Sequence, residues 1–344
     1  MLTAVLVGCG RMSRAWLEAA RKVDGLRLVG FVDIDIAQAE ERARESGLTN
    51  AAVGTDLAAI LAVAKPDIVF DVAVPQARRQ VVETAFAHGC HVLTEKPMAI
   101  NRDDAQAILL AATRSGRLHA VVQNRRYLAA VRRIRRFLDS GALGRPTSIH
   151  CDFFLAPHFG GFREAIDHVL LLDMAIHTFD VARYVINGTP KTVFCTEWEP
   201  VNSWYKGGSS AVAIFQMEGG TMFNYRGSWC AAGLKTSWES SWRIVCERGA
   251  LTWDGFDELM AERITGEREA LFDLTEMVEV PALDPRDRIG GHLGIIEEFV
   301  DAIRTGREPE TRGADNIKSL AMVFAAIESA GSGRQVAVEI CRET

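Results

Sequence analysis

Residues 2–13, LTAVLVGCGRMS, join a short apolar run to a glycine-rich turn and to the start of a helical pattern. The run Leu2–Val7 is mostly apolar, as is typical of a buried strand in a parallel sheet. Gly8 and Gly10 follow it, with Ser13 at the third position of a GxGxxG spacing. Gly8 permits a tight turn, Gly10 lets the backbone approach a pyrophosphate, and the small Ser13 allows the helix to pack on the strand. The stretch therefore predicts the first strand–turn–helix unit of a dinucleotide-binding fold.

Alternating strands and helices follow this unit through the first third of the chain. Apolar runs and helical spacing predict strands at 26–32, 68–72, 91–93 and 118–122, and helices at 11–23, 36–46, 81–88 and 103–115. Gly47 provides a C-cap for the second of these helices. Strands and helices in this order imply right-handed connections and a parallel sheet covered on both faces.

The pattern changes after residue 123. Helices are predicted at 127–140, 170–186, 293–304 and 314–329, and strands at 147–154, 192–197, 211–217, 221–228 and 241–247. Gly219 and Gly220 lie between two of these strands and predict a hairpin. We therefore expect an α/β protein with a Rossmann fold over residues 1–123. An α+β domain built on a large, mostly antiparallel open sheet should cover residues 124–344, and its last helices can pack back on the Rossmann domain.

Composition excludes several classes of protein. The formal net charge of −6 argues against nucleic acid as a partner. No stretch of about 18 apolar residues is present to span a membrane. The 7 cysteines are scattered and form no CxxC pair, which favours reduced thiols and a cytoplasmic location. A run of arginines between residues 125 and 136 falls on a predicted helix, where a solvated face or a subunit contact is expected.

Asp33 follows the second predicted strand, about 20 residues beyond the glycine turn. A carboxylate at this point accepts hydrogen bonds from the ribose hydroxyls of a dinucleotide and repels a 2′-phosphate. Asp35 adds a second negative charge, so we expect NAD as the cofactor in preference to NADP. The alternative interpretation is that Asp33 only ends the strand and caps the next helix.

Two further motifs carry candidate catalytic groups. The tripeptide EKP at residues 95–97 follows the strand at 91–93, and ligands of open parallel sheets bind beyond the carboxyl ends of the strands. Asp173 and His177 lie one turn apart on a predicted helix, with Asp180 on the same face. The acid can fix the tautomer of the imidazole while the ring exchanges a proton with substrate. No recognised ligand spacing accompanies them, so no metal site is expected.

Together, GxGxxS at 8–13, EKP at 95–97 and DxxxHxxD at 173–180 resemble the Gfo/Idh/MocA oxidoreductases. NRRY at 124–127, LDSGALG at 138–144 and FVDAI at 299–303 also match stretches typical of that family. The resemblance covers the whole chain, and the combination of motifs is specific although each alone is not.

The resemblance implies hydride transfer between NAD(P) and a hydroxyl-bearing carbon of a sugar, cyclitol or related polyol. It also implies a second domain whose open sheet faces the cofactor and forms subunit contacts, in a homodimer or homotetramer. The family roles of substrate orientation and proton transfer are carried over to Lys96, Asp173 and His177. The residues expected at the cofactor are Gly8, Gly10, Arg11, Met12, Ser13, Asp33, Ala73, Pro75, Gln76, Glu95 and Lys96.

Two departures from the family pattern concern the ligand sites. Gln76 stands after Pro75 where many relatives have a histidine. Asp167-His168-Val169 replaces a common glycine triplet, so side chains are expected to project where relatives leave space. Arg163 nearby can pair with an acidic group of a substrate. The residues expected at the substrate are therefore Arg163, Asp167, His168, Asp173 and His177.

Two other functions remain open beside a dehydrogenase that exchanges its cofactor. One is an enzyme with tightly held NAD that cycles between redox states during an epimerisation or elimination, and retention of cofactor through gel filtration would favour it. The other is a nucleotide- or sugar-sensing protein without catalysis. The presence of Lys96, Asp173 and His177 argues against a protein that has lost catalytic activity.

Overall fold

The computed structural model describes residues 1–341, without the side chain of Phe162. The chain forms two compact units. The first contains Met1–Tyr127, Arg288–Ile317 and the end of the described chain, and the second contains Leu128–Asp287 and Lys318–Glu339. Neither unit is therefore contiguous in sequence.

The first unit is built on a sheet of six parallel strands in the order β3-β2-β1-β4-β5-β6. The strands are β1 (Leu2–Val7), β2 (Leu26–Val32), β3 (Ala52–Gly54), β4 (Ile68–Asp71), β5 (His91–Thr94) and β6 (His119–Val121). The helices that connect them are α1 (Ser13–Ala20), α2 (Ile36–Ser46), α3 (Leu57–Ala64), α4 (Arg78–Ala87) and α5 (Arg102–Ser115). This strand order is that of a doubly wound dinucleotide-binding sheet, with its switch point between β1 and β4. The predicted Rossmann fold is confirmed.

Element boundaries in this unit follow local capping and turn chemistry. Gly47 caps α2 in the left-handed conformation, with a φ of 69°, as predicted. Helix α4 begins at Arg78, earlier than predicted, because Pro75 opens a 3₁₀ turn that leads directly into it. The short β3 and the helix α3 were not predicted. Because α3 has the sequence LAAILAVA, its apolar residues show no helical stripe.

The second unit is built on a sheet of nine strands in the order β14-β13-β12-β11-β7-β10-β9-β8-β15. The strands are β7 (Pro146–Phe154), β8 (Pro190–Trp198), β9 (Ser210–Met217), β10 (Met222–Ser228), β11 (Ser241–Cys246), β12 (Gly249–Trp253), β13 (Leu259–Glu269), β14 (Phe272–Val278) and β15 (Val336–Ala337). Only β7 and β10 pair in parallel, and the other neighbours are antiparallel. The predicted mostly antiparallel sheet is confirmed.

The helices of this unit before β8 are α6 (Ala129–Asp139), the short α7 (Phe162–Ala165) and α8 (Ile176–Ile186). Helix α8 packs on one face of the sheet, and α6 packs against α8. The ring of Phe179 on α8 lies 4.9 Å from that of Phe215 on β9 and 5.3 Å from that of Tyr225 on β10. Rings at such edge-on separations pack favourably, and they fix α8 against the middle of the sheet.

The last two helices are α9 (His292–Thr305) and α10 (Gly313–Ser332). Helix α9 belongs to the first unit, where Ile295 and Phe299 are buried in one cluster with Trp16 and Leu17 of α1. Helix α9 therefore packs against α1 within the first unit. In the described part of the chain, no helix is both long and apolar enough to cross a membrane.

The arginine run after residue 124 is used inside the two units. Arg126 is buried and pairs with Asp315 at 2.7 Å in the first unit. Arg133 on α6 donates to the carbonyl of Val280 at 3.0 Å in the second. The interpretation as a solvated face is wrong for Arg126, which is buried. For Arg133, which is partly exposed, it stays a prediction.

Candidate active site

The glycine turn after β1 is shaped to receive a phosphate group. Gly8 has a φ of 87°, and an added Cβ would lie 2.5 Å from the backbone nitrogen of Ala73. At Gly10 the nearest atom to an added Cβ is Gln38 Oε1, at 3.9 Å, so the space beside this residue is open. Ser13 is buried, and its Oγ donates to the carbonyl of Gly10 at 2.6 Å. In the described part of the chain no side chain caps α1, whose N-terminal N–H groups suit a pyrophosphate.

The side chain of Asp33 is hydrogen-bonded to the backbone of this turn. Its Oδ2 accepts from the backbone nitrogen of Cys9 at 2.6 Å, and its Oδ1 accepts from that of Asp35 at 2.9 Å. The cap of α2 is Asp35, which accepts from the backbone nitrogen of Ala37 at 3.0 Å. The interpretation of Asp33 as a helix cap is therefore wrong. Carboxylate oxygens have several lone pairs, so Asp33 can hold the turn and still accept from a ribose.

A buried ionic network lies at the carboxyl ends of β4 and β5. Asp71 is fully buried, and its two oxygens accept from Thr94 Oγ1 at 3.0 Å and from the backbone nitrogen of Ala73 at 3.1 Å. Arg78 Nε lies 3.7 Å from Asp71 Oδ2. Burial raises the pKa of Asp71 to about 6, although the charge of Arg78 and the bond from Thr94 act in the opposite direction.

Arg78 joins two of the turns that carry predicted cofactor residues. Its guanidinium donates to the carbonyl of Ala73 at 3.1 Å and to the carbonyl of Pro97. Ala73 and Pro75 lie in the turn after β4, where Gln76 is exposed. Sequence reasoning missed Arg78, because an arginine at the start of a helix is ordinarily solvated.

Glu95 and Lys96 follow β5, and Glu95 faces inward. The Oε1 atom of Glu95 lies 2.8 Å from Trp16 Nε1 and 3.2 Å from His292 Nε2, and Oε2 accepts from the backbone nitrogen of Lys96 at 3.1 Å. Burial pushes the pKa of Glu95 upward, but the hydrogen bond and charge of His292, with Trp16 and Lys96, hold that pKa below its ordinary value. Both oxygens are engaged by protein donors, so a direct contact between Glu95 and a cofactor would compete with them. Lys96 is partly exposed, and its bond to Pro97 is cis.

In the second unit, Asp173 and His177 lie where a π-helical turn, Leu170–Ala175, runs into α8. Arg163 Nε donates to Asp173 Oδ2 at 2.8 Å, and the Arg163 guanidinium lies 5.3 Å from the centre of the Phe159 ring. This pairing holds the carboxylate of Asp173 in one orientation. His177 is in the first turn of α8 and is partly exposed.

Asp180, the third polar residue of this motif, is part of the core. It is 1 % exposed, accepts from Ser319 Oγ at 2.6 Å and lies 3.6 Å from Arg183. Its role is therefore structural. Among the described residues, no three histidine, cysteine, aspartate or glutamate side chains are grouped as metal ligands would be.

The segment that replaces the glycine triplet is fixed by two polar contacts. His168 has a φ of 54°, a left-handed conformation that a glycine adopts easily, and its Nδ1 contacts Glu197 Oε2. Asp167 lies 3.3 Å from Lys206 Nζ. Burial raises the pKa of Glu197, and the bond from His168 partly offsets this effect. The side chains of His168 and Asp167 are thus engaged within the second unit, and sequence reasoning gave no sign of Glu197.

The structure brings the predicted residues together in two groups, one in each unit. The glycine turn, Asp33, the turn at 73–76 and Lys96 all follow strands of the first sheet. The predicted substrate residues, together with Asp173 and His177, all lie between residues 163 and 177 of the second unit. A parallel sheet with an open glycine turn at its switch point and an acid fixed beside it defines a dinucleotide-binding protein.

Comparisons with known proteins identify the family. The family model described as "Oxidoreductase family, NAD-binding Rossmann fold" matches residues 2–123, and the GFO/IDH/MocA C-terminal domain matches residues 131–252. The chain belongs to the GFO/IDH/MocA family of oxidoreductases, as its motifs indicated, and is therefore an enzyme with an NAD-binding Rossmann fold.

Relatives of known name are similar over nearly the whole chain. A D-apiose dehydrogenase of Paraburkholderia graminis is 27% identical over 96% of this chain and 88% of its own length. An inositol 2-dehydrogenase of Streptomyces avermitilis is 26% identical over 99% and 95%, respectively. The crystal structure of an oxidoreductase from Agrobacterium radiobacter in complex with NAD⁺, L-tartaric acid and magnesium superposes with a TM-score of 0.85, at 23% identity and 98% coverage of both chains. At that identity the structural match supports the fold alone.

Proposed function

We propose that the protein is an NAD-dependent dehydrogenase that transfers hydride between nicotinamide and a hydroxyl-bearing carbon of a sugar, cyclitol or related polyol. The observation that carries this proposal is the carboxylate of Asp33, bonded to the backbone nitrogen of Cys9 within the glycine turn. The names of relatives such as D-apiose dehydrogenase and inositol 2-dehydrogenase support the substrate class.

Residues of the first unit are assigned to successive parts of NAD. The N-terminus of α1, with Gly8, Gly10 and Ser13, would hold the pyrophosphate, and Arg11 and Met12 are exposed beside it. Asp33 would accept from the adenosine ribose, and its charge would repel the 2′-phosphate of NADP. The turn containing Ala73, Pro75 and Gln76, together with Lys96, would lie along the remainder of the NAD molecule. When bound, NAD supplies the carbon that accepts or gives the hydride.

Proton and charge handling are assigned to Lys96, Asp173 and His177. The ammonium of Lys96 would stabilise negative charge on the substrate oxygen, and the imidazole of His177 would take the hydroxyl proton. The hydrogen bond from Arg163 Nε to Asp173 Oδ2 supports this assignment, because it orients the carboxylate of Asp173. Arg163, Asp167 and His168 stay candidates for substrate contact, with Arg163 the one suited to an acidic group.

The expected cellular setting is also part of the proposal. Assembly as a homodimer or homotetramer follows from the family resemblance, and a cytoplasmic location follows from the scattered cysteines of the sequence. Sedimentation at micromolar concentration tests the first expectation directly.

The test of the proposed function is the absorbance of reduced nicotinamide with cyclitols, aldoses, sugar acids and their keto forms. We expect turnover on at least one of them, with NAD used better than NADP. Lys96→Ala and His177→Ala should each lower kcat by about 100-fold or more, and the double variant should be little worse than either alone, because residues that act as a unit are not additive. NADH binding without turnover across the panel would contradict the dehydrogenase proposal.

The cofactor preference is tested by removing one charge. Asp33→Asn keeps the shape and one acceptor oxygen but loses the carboxylate, so the preference for NAD over NADP should fall by about 10-fold or more. Asp24→Asn is the matched control, because Asp24 is an exposed acid just before β2, at the opposite end of that strand from Asp33. An unchanged preference in Asp33→Asn would show that the assignment of NAD to this residue is wrong.

A further inference from the structure

The carboxylate of Glu95 gathers donors from three separate segments of the first unit. Trp16 Nε1 on α1 and His292 Nε2 on α9 both contact Oε1, at 2.8 Å and 3.2 Å. The backbone nitrogen of Lys96 donates to Oε2 at 3.1 Å. These donors are 79 and 197 residues away in sequence for Trp16 and His292, so the arrangement is a tertiary contact and not a local turn.

The environment of Glu95 makes this geometry costly to change. Its side chain is 9% exposed, and that of His292 is 20% exposed. A buried carboxylate that loses a donor is left with an unsatisfied lone pair, and the penalty exceeds the value of an ordinary surface hydrogen bond. Each donor therefore restricts the orientation of the carboxylate, and the carboxylate in turn restricts the backbone of Lys96.

His292 can serve as a donor in both of its charge states. Because its Nε2 faces a carboxylate oxygen, this nitrogen carries the hydrogen whether the ring is neutral or cationic. The ring is fixed by its surroundings. It meets Trp16 edge-on with 6.1 Å between ring centres, and the backbone nitrogen of Gly290, just before α9, donates to the carbonyl of Tyr127 at 3.0 Å.

We propose that Glu95 and His292 are positioning residues for Lys96, with His292 holding the carboxylate that fixes the Lys96 backbone. The inference rests on the proposed function in that it treats Lys96 as the group that meets the substrate. Neither Glu95 nor His292 touches the reacting atoms in this account. His292 acts through Glu95, and Glu95 acts through the backbone nitrogen of Lys96.

The variants separate positioning from simple stability. His292→Leu removes the donor, whereas His292→Gln supplies an amide N–H of similar reach. Glu95→Gln retains an oxygen for Trp16 and His292, and its amide then opposes the N–H of Lys96. His88→Leu is the matched control, because His88 is an exposed histidine of the same unit whose ring, among the described hydrogen bonds, meets the carbonyl of Thr84 alone.

Two readouts are used on the full chain. With a substrate that turns over, His292→Leu should lower kcat about 10-fold with KM changed less than about 3-fold, and His292→Gln should recover most of kcat. Independently of activity, the backbone amide resonance of Lys96 is followed after ¹⁵N-lysine labelling and identified by its loss in Lys96→Arg. It should move in His292→Leu and Glu95→Gln, remain near its original position in His292→Gln, and not move in His88→Leu.

The outcomes distinguish this inference from the proposed function. An unmoved Lys96 amide in both His292→Leu and Glu95→Gln overturns the positioning role, even if the wild-type protein turns over substrate. Equal losses of kcat in His292→Leu and His292→Gln, in step with their melting temperatures, also overturn it. Absence of turnover in the wild-type protein, with the amide shifts as expected, would reject the proposed function and retain the placement of Lys96 by Glu95 and His292. If His292→Leu does not fold, His292→Gln and Glu95→Gln decide the matter.

Discussion

Replacing Arg78 with methionine should destabilise the first unit in a way that depends on pH. Arg78 is 2% exposed. Its guanidinium donates to the carbonyls of Ala73 and Pro97 and lies beside the buried carboxylate of Asp71. Methionine fills much of the same volume but supplies neither hydrogen bonds nor charge. The substitution therefore leaves two backbone acceptors and one carboxylate without their partner.

The expected decrease in unfolding free energy follows from the loss of the hydrogen bonds and the loss of the charge. The buried carbonyl of Pro97 and the partly buried carbonyl of Ala73 each lose a charged donor, at a cost of about 1 kcal/mol each. The pKa of Asp71 is already raised to about 6, and removing a neighbouring cation raises such a pKa by about 1–3 further units, each equal to about 1.4 kcal/mol. Below pH 6 the carboxyl is protonated with or without Arg78, so the second cost vanishes there. We expect a loss of about 2 kcal/mol at pH 5 and about 4 kcal/mol at pH 8.

Urea unfolding at pH 5 and pH 8 measures this difference, with Asp71→Asn and the double variant completing a cycle. Without Arg78 the folded protein pays more to ionise Asp71. The difference in unfolding free energy between the wild-type protein and Arg78→Met must therefore grow as the pH rises above 6. In the cycle the double variant should be less destabilised than the sum of the single variants, since both charges leave together. A difference independent of pH, or strict additivity in the cycle, would refute the ionic coupling of Arg78 to Asp71.

Three further predictions concern the glycine turn, a buried histidine and the segment before α8. Gly8→Ala should destabilise the fold by about 2 kcal/mol or more because of its φ and its contact with Ala73, whereas Gly10→Ala should keep the melting temperature and weaken NADH binding measured by fluorescence. Burial lowers the pKa of His119 to about 4. Below pH 6.5 the histidine takes up a proton in the unfolded chain but not in the folded one, so the free energy of unfolding falls as the pH is lowered from 6.5 to 4. The wild-type minus His119→Leu unfolding free energy should therefore fall by about 3 kcal/mol across that window, and a flat difference would contradict it. His168→Ala should be less stable than His168→Gly by about 1 kcal/mol in urea unfolding, because only glycine adopts a positive φ without strain; the reverse order would count against that explanation.

The sequence predicted those parts of the fold in which a periodic pattern coincides with burial. Strand β1, strand β2 and helix α2 have the predicted limits because apolar runs and the cap at Gly47 are local signals. Strands β13 and β14 were missed, since their residues are largely exposed and strongly charged and show no apolar alternation. Several buried strands were therefore predictable, whereas the two exposed strands at one edge of the large sheet, and the short β12 beside them, were not.

The candidate site also has parts that the sequence predicts and parts that it does not. The positions of the glycine turn after β1 and of Asp33 after β2 were predictable, because local sequence patterns mark the ends of these strands. The contacts of Arg78 with Pro97, of Glu95 with His292 and of His168 with Glu197 were not, since each joins residues that only the tertiary fold brings together. Such pairs leave no mark on local periodicity.

The position of α9 has a consequence for the order of events during synthesis. Helix α1 is complete at residue 20, yet Phe299, which packs in the same cluster as Trp16, is translated almost 280 residues later. At about 5–20 residues per second, the ribosome needs roughly 15 s to a minute to supply it. The residues of α1 in this cluster lack their α9 partners throughout this interval, so the nascent first unit cannot complete its native core before the segment Leu128–Asp287 of the second unit has been made. Emergence of α9, and not of the N-terminal third, is therefore the step that lets the core beside α1 close.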